Sequence, residues 1–155
     1  MRKVGIITLD GIYNYGNRLQ NLAVKKIYER EGFCAETLVI KRSFFREAWR
    51  YLDAFLKNPK KTIKFIRFNS TLVKQKYIFN KKALPPEKIV SEYDFFSVGS
   101  DQVWNPNLRK KDKHVFYLSF AEREKRIALS ASIALDEIPD VFTDSFKKGV
   151  EGFDH

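Results

Sequence analysis

A chain of 155 residues, 44% apolar and 15% aromatic, has the length and composition of a folded domain, which excludes wholesale disorder. A single cysteine, Cys34, cannot form an internal disulfide, and with only His114 and His155 beside it a zinc site lacks ligands, so a cytoplasmic chain with no metal is expected. The net charge of +10 is local: residues 41–82 hold thirteen Lys and Arg against Glu47 and Asp53, a net of +11, and the rest of the chain is close to neutral.

Residues 3–9, KVGIITL, are a short β-rich apolar run and predict a buried strand. DGIYNYGN follows, with Gly16 expected at a tight turn and Asn14 or Asn17 as a helix N-cap. Leu19, Leu22, Ala23 and Ile27 then recur on one helical face, and Gly32 closes that helix as its C′ residue. Residues 35–40, AETLVI, predict a second strand and complete a βαβ unit with a right-handed crossover. In the basic segment, Phe44, Phe45, Ala48, Trp49, Leu52, Phe55 and Leu56 keep helical spacing up to Asn58-Pro59. A second helix is predicted over 60–79, and Leu84-Pro85-Pro86 ends the excursion. A strand over 93–98, a polar stretch, the apolar piece HVFYLSFA and a fourth strand over 126–131 follow, and Asp140 is expected to cap a last helix running to Gly149.

Strands alternating with helices predict an α/β fold with a Rossmann-like, mostly parallel sheet, flanking helices and an inserted basic helical pair. The whole of 1–155 is read as one α/β domain, with 41–82 as a basic amphipathic segment within it. Such sheets bind ligands beyond the carboxyl ends of their strands. There the first strand exits into Asp10–Arg18, the 93–98 strand into Gly99–Asn105, and the 126–131 strand into Ser132–Glu137.

Each of these exits has a chemical and a plainer reading. In YNYGNRLQN, free N–H groups of a helix start suit an anion or a sugar hydroxyl, or Asn14 and Asn17 only cap and the tyrosines only pack. In GSDQVWN, Asp101 could take a proton from a hydroxyl, Gln102 and Asn105 could read hydroxyls, and Trp104 could stack on a sugar face. Alternatively Asp101 caps a turn, Trp104 is buried, and Asn105-Pro106 is a turn. Ser130 and Ser132 either face the same edge or permit close packing.

The segments YNYGNRLQNLAV, YDFFSVGSDQVWNP, FYLSFAEREKRIALSAS and EIP, in this order and spacing, resemble the polysaccharide pyruvyl transferase family, with GSDQVWN the most specific of them. The resemblance implies transfer of the enolpyruvyl carbons of phosphoenolpyruvate to a sugar, usually closing a pyruvate ketal, in bacterial exopolysaccharide synthesis. It implies two Rossmann-like halves facing a cleft, as in GT-B glycosyltransferases. This chain is expected to be the N-terminal, acceptor-side half, inactive by itself, with phosphoenolpyruvate as co-substrate held mainly by the other half and no resident cofactor. Asp101 is the expected base, with Tyr15, Gly16, Asn17, Arg18, Gly99, Ser100, Gln102, Trp104, Asn105 and Ser132 around the acceptor, a sugar or a lipid-linked oligosaccharide. Lys57, Lys60, Lys61 and Lys64 are expected to form an anion-attracting surface for peripheral contact with the inner face of the plasma membrane, while most aromatics of the pair pack on the sheet.

Two other readings compete with this one. The first is the N-terminal half of a GT-B-like glycosyltransferase using a nucleotide sugar. The second is a basic nucleic-acid- or membrane-binding module; specific nucleic-acid binding is disfavoured because the charge lies on amphipathic helices without a recognition motif.

Overall fold

Lys3–Ile7 (β1), Cys34–Lys41 (β2), Gln75–Asn80 (β3), Phe95–Val98 (β4) and Arg126–Ala128 (β5) pair in parallel into one sheet ordered β3-β2-β1-β4-β5. The structure is a computed structural model and describes residues 1–41, 43–72, 75–80, 85, 87–108 and 113–154. The helices are Tyr15–Arg30 (α1), Phe44–Lys57 (α2), Pro59–Leu72 (α3), Glu87–Ser91 (α4), Lys113–Phe116 (α5) and Asp140–Val150 (α6). This is the Rossmann-like α/β arrangement expected. The strand order reverses between β1 and β4, where such sheets open a crevice.

Alternation along the strands divides the interior in two. Val4, Ile6 and Ala35 meet Val24 and Tyr28 of α1 on one face. Ile7, Leu38, Phe96 and Val98 meet Val103, Val115, Phe116 and Leu118 on the other. HVFYLSFA therefore supplies a core wall, beginning in the short helix α5.

Several expected elements need correction. The second basic helix ends at Leu72, and residues 75–80 are the edge strand β3. In sequence the basic run continues through Lys74 and Lys76, which reads as more of the basic helix, while Tyr77-Ile78-Phe79 is the β-prone core of the segment. The helical pair is thus the crossover from β2 to β3. Leu84 and Pro86 lie outside the described residues.

Helix α1 presents a different face from the one its apolar residues mark. Asn17, Arg18, Asn21, Val24 and Tyr28 are buried, whereas Leu19, Ala23 and Ile27 are exposed. The reason is hydrogen bonding to the sheet: Thr37 Oγ1 donates to Asn21 Oδ1 at 2.8 Å, and Tyr28 Oη to Ser97 Oγ at 2.8 Å. Hydrogen-bonded polar side chains can fill a helix–sheet contact that apolar periodicity cannot announce, even though Asn21 Nδ2 stays without a hydrogen-bond partner there. The ends of α1 follow expectation. Asn14 accepts from the Asn17 N–H at 2.9 Å. At the other end Phe33 N–H bonds Tyr28 O and Gly32 N–H bonds Glu29 O, with Gly32 at φ +82°.

Gly16 lies inside the first turn of α1, not in a tight turn; the left-handed residue of that loop is Tyr13, at φ 63°. At α6, Pro139 occupies the N-cap and Asp140 is the first helical residue.

Candidate functional site

The exits of β1, β4 and β5 meet at the carboxyl edge, as the topology requires. Thr8, at the end of β1, donates its Oγ1 to Ser100 O at 3.0 Å. Asn17 Nδ2 donates to Asp101 Oδ2 at 2.8 Å, and the Gln102 N–H to Asp101 Oδ1 at 2.7 Å. Asp101 also forms an isolated bridge with Ala131, its carbonyl accepting from the Ser132 N–H at 3.0 Å, while Ser132 O accepts from the Trp104 N–H at 3.1 Å. Three strand exits are thereby stitched around one carboxylate.

Gly99 makes this approach possible. Its φ is +117°, and a Cβ there would stand 2.1 Å from Leu129 O. Only glycine fits a backbone that passes so close to β5. The next residue but one, Asp101, has φ 101°, a conformation rare for a residue with a side chain.

Asn17, Ser100, Asp101, Gln102 and Ser132 thus gather at the edge, with Gly99 beneath them. The others named from sequence are held within the fold around them. Trp104 Nε1 donates to Phe116 O at 2.9 Å, and its ring meets Tyr117, Phe146 and Phe153, which fits the buried-wall reading better than a sugar platform. Asn105 is 7% exposed and builds the turn: its Nδ2 donates to Gln102 Oε1 and its Oδ1 accepts from the Asn107 N–H, both at 3.0 Å. Arg18 is 3% exposed in the first turn of α1, so its charge is drawn into the fold. Tyr15 packs its ring against Phe65 and Phe68 of α3.

Sequence reading missed how the loop after β1 is held. Tyr13 Oη donates to Ala54 O at 2.8 Å and is hydrogen-bonded to Thr62 Oγ1, and Arg50 Nη2 donates to Asp10 O at 3.0 Å. These contacts join residues about forty positions apart, and no local pattern signals them. Of the four lysines, Lys61 lies 4.8 Å over the Tyr13 ring and Lys57 pairs with Asp53 at 2.8 Å, while Lys60 and Lys64 are exposed.

Among the described residues, no group of three or more His, Cys, Asp or Glu is arranged to hold a metal ion. A hollow lined by Arg2, Tyr93, Asp94 and Glu124 lies at the amino-terminal end of the strands, away from this cluster. No curated protein and no solved structure matches the chain. The family model for polysaccharide pyruvyl transferase matches residues 14–155, from the N-cap of α1 through the whole carboxyl-edge cluster, and the chain therefore belongs to the polysaccharide pyruvyl transferase family.

Proposed function

We propose that this chain is the acceptor-side half of a pyruvyl transferase, binding the sugar whose hydroxyls receive pyruvate from phosphoenolpyruvate. The observation that carries it is the Asp101 carboxylate, held by Asn17 and Gln102 at the strand-order reversal. A carboxylate offers about four lone-pair sites, so two donors fix its orientation and leave acceptor capacity for a hydroxyl. Gln102 and Ser132 flank it with amide and hydroxyl groups of the kind that read sugar hydroxyls.

In ketal formation one hydroxyl oxygen bonds to C2 of phosphoenolpyruvate while C3 gains a proton. The second hydroxyl oxygen then bonds to C2 as the C2–O bond to phosphate breaks. Of the two hydroxyl protons, one balances the methyl group and the other leaves with phosphate. Asp101 is assigned the removal of a hydroxyl proton, a role typically worth about 10²–10⁴-fold. The cationic pocket that a phosphate and a carboxylate need is assigned to the other half, because Arg18 is buried and the exposed cations of α3 point outward.

Calorimetry of the 155-residue chain with phosphoenolpyruvate tests this division. No tight binding is expected. A micromolar Kd, about −8 kcal/mol, would place the donor site here and overturn it.

A further inference from the structure

The outward face of α2 is apolar. Phe45, Trp49, Leu52 and Leu56, at helical spacing, are 82%, 71%, 48% and 73% exposed, and Phe44 at the start of the helix is 79% exposed. The inward face is the polar one: Ala54 is buried, Glu47 and Arg50 are half-buried, and Arg50 reaches the loop after β1. The expectation that the aromatics pack on the sheet fails for α2, and Phe65 of α3, 1% exposed, is buried against Tyr13 and Tyr15 instead. Helix α3, packed beside it, turns Thr62 and Phe65 inward and Lys60, Lys64 and Arg67 outward. An aromatic ridge and a cationic ridge therefore lie side by side on one surface.

We propose that this surface docks on an anionic lipid bilayer, with α2 lying in the interface plane and the cations of α3 on the headgroups. The inference goes beyond the acceptor-side reading and does not depend on it. Trp, Phe and Leu on one side with Lys and Arg beside them are the composition of interfacial helices. No helix among the described residues is long and apolar enough to cross a membrane, which suits attachment at the surface. Charge selects the occupant. A second copy meeting the same face would bring together two chains of net charge +10 through their most basic segments, which like-charge repulsion opposes. An anionic leaflet offers the complementary sign over the whole face. The inner side of the pair holds the loop after β1, so the bilayer would lie about one helix diameter, ~10 Å, from that loop.

Flotation of the 155-residue chain with phosphatidylcholine vesicles, with and without phosphatidylserine, at low and high salt, is the test. Binding requires phosphatidylserine, and Trp49 emission shifts to the blue and is quenched by brominated lipid. Lys60→Gln/Lys64→Gln/Arg67→Gln weakens binding by roughly 10²-fold, from about one order of magnitude or less per cation near an anionic leaflet. Phe45→Ser/Trp49→Ser/Leu56→Ser abolishes the salt-resistant part while circular dichroism stays unchanged, since these side chains are exposed. Equal binding to neutral vesicles, no binding to either, or lipid-independent dimerisation that the serine variant abolishes would each overturn the proposal.

Discussion

Asn17 donates its side-chain amide to Asp101 at 2.8 Å, across 84 residues of sequence, and so locks the start of α1 to the loop after β4. With Asn17 2% exposed, the bond lies at the buried margin of the edge cluster, and it ties YNYGNRLQN to GSDQVWN.

A double-mutant cycle measures that tie. In Asp101→Asn one oxygen becomes a donor, so either Asn17 or the Gln102 N–H loses its acceptor, and urea unfolding should show a loss of about 1–2 kcal/mol. Asn17→Ala should cost about 1–3 kcal/mol in the native chain. The two losses should fall short of additivity by about 0.5 kcal/mol or more. Strict additivity would mean that the bond contributes nothing.

Two glycines near the site should respond in opposite directions. Gly99→Ala combines φ +117° with a Cβ 2.1 Å from Leu129 O, and a loss of at least ~2–3 kcal/mol is expected in urea. Gly16→Ala stands in a helix, where the nearest atom, Asn14 Oδ1, is 3.6 Å from the new Cβ. It should be neutral or stabilising by up to about 1 kcal/mol. A destabilised Gly16→Ala would return Gly16 to the turn first expected for it.

The inverted face of α1 makes a third comparison. Leu19→Gln, at a residue 52% exposed, should change stability by less than about 0.5 kcal/mol. Asn21→Ala, at a fully buried residue that accepts from Thr37, should cost about 1–3 kcal/mol. Thermal melts of the two variants decide it, and the reverse order would restore the apolar face.

The edge cluster was legible in sequence because its signals are local. KVGIITL and YDFFSV are compact β-rich runs, and a parallel sheet brings their exits together whatever the details. The orientation of α1 was hidden because the hydrogen bonds Thr37–Asn21 and Tyr28–Ser97 form only once the sheet exists. The edge strand β3 was hidden by the basic run it continues, and the outward aromatics of α2 by the ordinary rule that apolar residues turn inward. Trp104 has the same residue type whether it stacks on a sugar or on Tyr117; only its neighbours distinguish the two.

The central claim is that an acceptor sugar binds at the Asp101 edge, and amide chemical-shift mapping tests it most directly. The ¹⁵N-labelled 155-residue chain would be titrated separately with a panel of hexopyranosides, with phosphoenolpyruvate and with a nucleotide sugar. The account predicts that at least one hexopyranoside shifts the backbone signals of Asp101, Gln102 and Ser132 and the side-chain amides of Asn17 and Gln102, and that Asp101→Asn weakens the response. Phosphoenolpyruvate or the nucleotide sugar moving those signals, with every hexopyranoside silent, would contradict it.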